Sequence, residues 1–144
     1  MPSLPLVLVL IMVRLNTLPN FITCLTHITE LISSVPSTNP TFVTRNFTDA
    51  EITYCRAQPH PAASFAARWA GKEAVFKSLG VSSKGAGAAM KDIEILPDAS
   101  GVPTVTLHGD ALTAAQGKGV KKVQLSLSHS DAVAIAFAQA LSSA

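Results

Sequence analysis

Four charged residues lie within an apolar run of the sequence, and the spacing of three of them defines the first candidate chemistry. Lys72, Glu73 and Lys77 interrupt residues 65–80, a segment otherwise rich in alanine and aromatic residues. On a helix, Glu73 and Lys77 stand four residues apart, an acid-before-base pair that stabilises a helix surface by about 0.2–0.5 kcal/mol. A carboxylate among apolar neighbours must instead be paired, protonated or bound to a cation. The segment therefore has two readings, a solvated surface pair or a cation-binding carboxylate.

Several other polar residues are of types that bind anions. Arg45 precedes the first predicted helix, and Lys84 with Gly85 belongs to a small glycine-rich loop. Glycine lets a phosphate approach the backbone closely, and a lysine adds positive charge. Ser128 and His129 end a predicted strand. Solvated arginines, connecting loops and structural histidines are common, so the residue types alone leave these alternatives open.

Two helices are predicted to position the charged residues. Thr48 and Glu51 form a capping box, which begins a helix that runs to about residue 57. Two prolines then end it, and a second helix spans about residues 62–79, with Gly80 as its C-terminal stop. Helical spacing places four large apolar residues on one face of this second helix: Phe65, Trp69, Phe76 and Leu79.

Alternating apolar residues predict strands after the second helix. A hairpin is predicted from residues 92–96 and 103–108, joined by turn residues at 98–101. A short helix follows at 110–116, then a strand at 123–127 with one polar face. Residues from 132 onward form a nearly uniform apolar strand, and both of its faces are expected to be covered. The predicted fold class is α+β.

Length and composition restrict the classes of function. The chain has 144 residues, of which 48% are hydrophobic and 14% charged, and this fits one domain with a core. A net charge of +2 without a basic cluster argues against nucleic acid, although an anionic cofactor needs only a local basic site. Cys24 and Cys55 have no metal-site spacing, and a reduced, cytoplasmic setting fits them.

Residues 1–29 are atypical. The apolar run at residues 4–13 is shorter than the roughly twenty residues of a membrane span, and no basic segment precedes it as in a signal peptide. A buried strand is predicted there, with no membrane partner, whereas no element is predicted for residues 14–29. One hypothesis is that residues 13–29 derive from a retained intron or a gene-model error, which a spliced transcript lacking them would support.

Residues 69–77 read W-A-G-K-E-A-V-F-K, and this run resembles the W-x-x-K-E-A-x-x-K signature of 4′-phosphopantetheinyl transferases of the holo-acyl-carrier-protein synthase type. Residues 45–51 and the S-x-S-H element at 126–129 are similar to the transferase domain at the C-terminal end of fungal fatty acid synthase alpha subunits. The resemblance runs from about Glu30 to near the C-terminus, so residues 30–144 are interpreted as the transferase domain. It implies an antiparallel sheet packed on the long signature helix.

The resemblance also implies an activity and its site. The expected reaction is magnesium-dependent transfer of 4′-phosphopantetheine from coenzyme A to a serine of an acyl carrier protein domain, with release of 3′,5′-ADP, in fatty acid biosynthesis. Glu73 is the expected Mg²⁺ ligand, Glu30 a second ligand or the base, and Lys77 the residue that neutralises phosphate charge. The residues expected to hold coenzyme A are Arg45, Lys72, Lys84, Gly85, Ser128 and His129. A homotrimer or a place within a fatty acid synthase complex is implied.

One departure from the family pattern concerns the metal site. The family begins with a strand that ends in G-[IV]-D-x-E, whose Asp binds magnesium. When Glu30 is aligned with the end of that strand, Ile28 stands where the Asp belongs, and in an alternative register Leu10 does. Neither register supplies a carboxylate. The alternative hypothesis is therefore a catalytically impaired module that binds coenzyme A or the carrier, or a fragment of a synthase alpha subunit.

Overall fold

The computed structural model describes residues 11–13, 21–30, 40–80, 90–130 and 133–142, and it describes 11–13 and 21–30 by their backbone. In chain order the elements of this part of the chain are β1 (Ile11–Val13), β2 (Phe21–Glu30), α1 (Pro40–Asn46), α2 (Asp49–Arg56), α3 (Pro61–Ser78), β3 (Ile93–Pro97), β4 (Pro103–Leu107), α4 (Gly109–Gly117), β5 (Val120–His129) and β6 (Val133–Ser142). Helices and antiparallel strands are both present, which confirms the predicted α+β class.

The strands form two sheets. Four of them pair in the order β1-β2-β6-β5, and β3 pairs with β4 as the predicted hairpin. All pairs are antiparallel. Glu30 is the register partner of Val133, and His129 is the register partner of Ala134. The last residues of β2 and β5 therefore flank the first residues of β6, at one end of the larger sheet.

Helix α3 is the centre of the core. Thirteen of its eighteen residues are buried, so it is enclosed on nearly all sides and does not present a single apolar stripe. It packs against β2, β5 and β6 of the larger sheet and against β3 of the smaller one. Small side chains allow this close packing, because the β6 residues that are fully buried are alanines at positions 134, 136, 138 and 140.

The prediction that both faces of β6 are covered is wrong for the residues described. Ile135 and Phe137 alternate with the buried alanines, and they are 40% and 38% exposed. Successive side chains of a strand point to opposite faces of the sheet. One face of β6 therefore contacts α3, and the other presents two large apolar side chains.

Capping explains where α2 begins. The Thr48 hydroxyl accepts a hydrogen bond from the Glu51 amide at 3.3 Å, and a Glu51 carboxylate oxygen accepts one from the Thr48 amide at 2.8 Å. The capping box predicted from the sequence is thus confirmed. At the β3–β4 turn, Asp98 accepts hydrogen bonds from the Ser100 side chain and amide, which hold the pKa of Asp98 below its usual value.

The N-terminal part differs from the prediction. Residues 21–30 form a ten-residue strand along β6, where no element was predicted. Of the strand predicted at residues 4–13, only 11–13 fall among the described residues, and they pair with β2. Helix α1 was also not predicted, and it places Arg45 in its last turn rather than in a loop. No helix among the described residues is long and apolar enough to cross a membrane.

Gly71 permits the close contact between α3 and the two sheets. A Cβ added there would lie 2.8 Å from Cδ1 of Ile95 and 3.0 Å from Cδ2 of Leu127. Because Ile95 is fully buried, it has little room to withdraw. We expect Gly71→Ala to lower the free energy of unfolding by about 1–3 kcal/mol, measured by urea denaturation.

Gly117 provides the matched control for this substitution. It lies at the end of α4, and a Cβ added there would have no atom within 4 Å. Gly117→Ala should therefore leave the urea midpoint close to that of the wild type. Equal effects of the two alanine variants would contradict the packing argument.

Candidate active site

The charged residues of the signature segment differ in their access to solvent. After Ala62, the residues of α3 that keep partial exposure are Trp69, Glu73 and Lys77. Residues four apart lie on the same face of a helix, so these three side chains form one line along α3. Glu73 and Lys77 therefore both reach the surface from a helix that is otherwise buried.

Lys72 lies in the core, whereas the resemblance placed it among the residues that hold coenzyme A. It is fully buried, and its Nζ lies 2.8 Å from a carboxylate oxygen of Glu51. Nζ also donates hydrogen bonds to the carbonyl of Met90, at 2.8 Å, and to that of Ile93. These partners engage all three ammonium protons. Burial lowers the pKa of Lys72, and the carboxylate of Glu51 opposes part of this shift.

A cavity of about 310 Å³ opens beside the N-terminal half of α3. Arg68 lines it and is only 6% exposed. Its Nε donates to the Ile95 carbonyl at 3.1 Å, and its Nη1 donates to the Ser64 hydroxyl at 3.0 Å. Its guanidinium lies 4.2 Å from the centroid of the Tyr54 ring.

No carboxylate neutralises the Arg68 charge within the part of the chain that the structure describes. A guanidinium has five N–H donors, and these contacts leave some of them without an acceptor among the described residues. Buried charges in proteins are normally paired. The cavity therefore has the chemistry of an anion-binding site.

His129 is brought to this cavity, whereas Ser128 is not. Leu127 and His129 line the cavity together with His60 from the start of α3. Ser128 alternates with them on β5 and is the register partner of the exposed Ile135. It therefore lies on the sheet face away from α3. Of the two predicted site residues of the S-x-S-H element, Ser128 and His129, only His129 lines the cavity together with Arg68.

The remaining predicted residues lie elsewhere or outside the described residues. Arg45 is exposed in the last turn of α1. Glu30 ends β2 at the same end of the sheet as His129, and only its backbone is described. Lys84 and Gly85 lie outside the described residues.

The carboxylates available for a metal ion are few. Among the side chains that the structure describes, no group of three or more His, Cys, Asp and Glu residues is placed to hold a metal ion. Glu73 is the partly exposed acid of α3. In one register of the resemblance, Ile28 stands where the family has its Asp. It is the register partner of exposed Ile135, so it lies on the sheet face away from α3, and Glu30 two residues later lies on the same face. A hydrocarbon side chain at position 28 supplies no ligand oxygen.

Residues 25–138 match the family model of the 4′-phosphopantetheinyl transferase superfamily. The chain belongs to this superfamily. Fatty acid synthase subunit alpha of Schizosaccharomyces pombe is 56% identical to this phosphopantetheinyl transferase chain over 111 residues, 77% of the chain and 6% of that protein. The resemblance predicted from residues 69–77 is thereby confirmed, and the chain spans only about 6% of the length of this relative.

Two solved structures share the fold of this phosphopantetheinyl transferase chain. The acyl carrier protein synthase from Plasmodium yoelii with ADP bound has a TM-score of 0.74 at 28% identity, covering 86% of this chain and 97% of that one. The holo-[acyl-carrier-protein] synthase from Neisseria meningitidis has a TM-score of 0.72 at 29% identity, covering 83% and 98%. The predicted packing of an antiparallel sheet on the long signature helix is confirmed.

Sequence reasoning missed Arg68, which the structure makes a candidate site residue because it lines the cavity. A signal was present, because Arg68 interrupts an alanine-rich run and directly precedes Trp69 of the signature. The argument applied to Glu73, that a charge among apolar residues needs a partner, applies to Arg68 as well. In the structure, the other buried cation of α3, Lys72, pairs with the carboxylate of Glu51, whereas Arg68 lines a cavity.

Proposed function

We propose that this chain transfers 4′-phosphopantetheine from coenzyme A to a serine of an acyl carrier protein domain of fatty acid biosynthesis. The observation that carries the proposal is the cavity beside α3, where Arg68 is buried without a carboxylate partner among the described residues, on the helix that also carries the partly exposed Glu73. The two residues are five apart, which at 1.5 Å per residue and 3.6 residues per turn is about 7.5 Å along the helix axis and about 140° around it. A ligand that contacts both residues therefore has to extend around α3 from the Arg68 cavity.

In the proposed reaction, the serine hydroxyl oxygen attacks the phosphorus on the pantetheine side of the coenzyme A pyrophosphate. A new phosphorus–oxygen bond forms, the bond from that phosphorus to the bridging oxygen breaks, and 3′,5′-ADP leaves with the bridging oxygen. Glu30 takes the serine proton, directly or through a bound water. Catalysis of phosphoryl transfer depends mainly on positioning and on neutralising the phosphate charge.

The site residues have separate roles in this proposal. Glu73 would hold Mg²⁺, which when bound neutralises charge on the pyrophosphate oxygens. Glu30 would be a second ligand of this ion in the arrangement where it is not the base. The donor set fits in part, because Glu73 supplies a carboxylate and Ile28 supplies none. Lys77, one turn after Glu73 on the same face of α3, neutralises the phosphate that leaves.

Coenzyme A itself is proposed to lie along α3 with its nucleotide end in the Arg68 cavity. Arg68 would bind the 3′-phosphate, because a buried guanidinium recognises phosphate through several N–H donors. His129 lies at the same cavity and adds a donor. Arg45, Lys84 and Gly85 remain proposed contacts for the phosphates. The Plasmodium yoelii synthase, which shares this fold, was solved with ADP bound, and this supports a nucleotide site on the fold.

The test is the mass gain of an apo acyl carrier domain incubated with coenzyme A and the chain. Transfer predicts a gain of one phosphopantetheine per carrier that needs both coenzyme A and magnesium and stops when the metal is chelated. A carrier of unchanged mass under saturating coenzyme A and magnesium would contradict the proposed activity.

Removing the Arg68 guanidinium is expected to weaken recognition of the 3′-phosphate. Charged hydrogen bonds are worth more than neutral ones, so Arg68→Met should raise KM for coenzyme A by about 10-fold. The measurement compares KM for coenzyme A with KM for 3′-dephospho-coenzyme A. The wild type should prefer coenzyme A, and the variant should lose this preference.

The control for this prediction is Arg56→Met, which removes an exposed arginine from the last turn of α2. It should keep the preference for coenzyme A. Because the readout is a ratio of two substrates on one variant, a partial loss of folded protein does not alter it. An Arg68→Met variant that still prefers coenzyme A would contradict the assignment of this cavity.

A second candidate function is binding without turnover, and the hydrocarbon at position 28 favours it. In that case the chain binds coenzyme A by calorimetry but leaves the carrier mass unchanged. The apolar Ile135 and Phe137 on the open sheet face fit burial against another chain. We propose either further copies in a homotrimer or other parts of a fatty acid synthase complex as that partner.

A further inference from the structure

The buried ion pair of Lys72 and Glu51 joins three separate segments of the chain. Lys72 lies in the middle of α3, Glu51 in the first turn of α2, and Met90 and Ile93 provide carbonyl groups at the start of β3. Glu51 also accepts a hydrogen bond from the Ile95 amide at 2.8 Å. One charge pair therefore connects the signature helix to both α2 and the hairpin.

Both charged groups of this pair have several hydrogen-bond partners, which fix the geometry of the pair. The carboxylate of Glu51 accepts from the Thr48 amide, the Ile95 amide and Lys72, and both charged side chains are fully buried. Lys72 Nζ also lies 5.3 Å from the centroid of the Phe47 ring. A fully satisfied buried polar network specifies one arrangement of the surrounding elements.

Lys72 directly precedes Glu73, so the tether acts at the turn of α3 that carries the proposed metal ligand. We propose that Lys72 and Glu51 are positioning residues, which fix the rotation and axial position of α3 so that Glu73 and Lys77 face the site. This inference rests on the proposed transferase function. A buried ion pair often adds little net stability compared with apolar residues of similar size, so stability alone does not account for the pair.

The experiment separates position from stability with single and double variants. Lys72→Met leaves the Glu51 carboxylate buried and unpaired, and it should lower Tm strongly. The double variant Glu51→Gln/Lys72→Met removes both charges, and its Tm should recover relative to Lys72→Met. We expect its kcat to stay at least about 10-fold below that of the wild type well below its Tm, with KM for coenzyme A unchanged, because a shift of about 1 Å is enough for such a loss.

A double variant whose kcat returns together with its Tm would overturn the inference. If the double variant does not fold, the Glu51→Asp variant tests the inference instead. It keeps the negative charge but moves the carboxylate away from Lys72, because its side chain is shorter. A lower kcat in folded Glu51→Asp supports the positioning role, and an unchanged kcat refutes it. The control is Lys91→Met, which removes an exposed lysine that donates to the Thr44 carbonyl and should leave Tm and kcat unchanged.

The wild-type protein in the same assay distinguishes failure of the proposed function from failure of the positioning inference. If the wild type leaves the carrier mass unchanged, the transferase proposal fails, and hydrogen exchange of the 69–77 backbone tests the tether alone. Faster exchange there in the folded double or Glu51→Asp variant, with unchanged exchange in β5 and β6, supports a tether local to this turn. Equal exchange in wild type and variant overturns it.

Discussion

Glu73→Gln is expected to reduce phosphopantetheine transfer by about 10³-fold, the largest effect of any single change in the proposed site. The amide has nearly the shape of the carboxylate but no charge, and a hard divalent cation prefers charged oxygen ligands. Position 28 supplies no carboxylate, so the site depends more heavily on Glu73 than a site with a further acid at that position would. The measurement is kcat for carrier mass gain at saturating magnesium.

The control for this substitution is Glu94→Gln, the same chemical change at a glutamate of β3 that is 19% exposed. Glu94 accepts a hydrogen bond from the Thr48 hydroxyl, which a glutamine oxygen can also accept. Glu94→Gln should keep transfer within about twofold of the wild type. If the two variants lose activity equally, the role of Glu73 in the reaction is refuted.

Local sequence signals were sufficient for the helices and strands that begin and end with characteristic residues. The capping box at Thr48 and Glu51 predicted the start of α2, and the alternation on either side of the turn at residues 98–101 predicted the β3–β4 hairpin. Helix α3 was predicted at residues 62–79 and is observed at Pro61–Ser78. These features depend on interactions within a few residues, which one sequence displays directly.

Elements that depend on distant partners were not predictable in the same way. Strand β2 mixes polar and apolar residues without a clear period, and its ten residues are extended because they pair along β6, more than one hundred residues later. The open face of β6 was missed for a related reason. Alanines on the α3 side and larger residues on the other side together read as one continuous apolar run.

The roles of the two buried cations show where residue-type reasoning stops. Lys72 and Arg68 both interrupt the apolar sequence of α3, and both are almost fully enclosed. Only the tertiary structure reveals that Glu51 neutralises Lys72, whereas Arg68 opens on a cavity with no carboxylate partner among the described residues. The family signature predicted the correct helix, and it placed Lys72 among the phosphate contacts, whereas the structure places it in the core.

Restoring a carboxylate at position 28 is the sharpest test of whether the chain is an impaired transferase. Ile28→Asp places an acid two residues before Glu30 on β2, at the position where one register of the resemblance has its magnesium-binding Asp. Both positions share the sheet face of Ile135, so the new acid tests a metal site formed with Glu30 at this end of the sheet. We expect transfer to rise by about 10²-fold, the size of effect that one preorganised electrostatic group has in catalysis. The increase should appear at low magnesium first, because an added ligand oxygen raises the affinity for the cation.

The matched control is Thr26→Asp, which adds the same charge to the same strand two residues earlier. Thr26 lies four residues from Glu30 on β2, whereas position 28 lies two residues from it. The control should therefore leave the magnesium dependence of transfer unchanged. The measurement is the rate of carrier mass gain over a magnesium titration. If Ile28→Asp leaves the rate unchanged while the wild type already transfers vigorously, another oxygen completes the metal shell, and the hydrocarbon at position 28 is compatible with full activity.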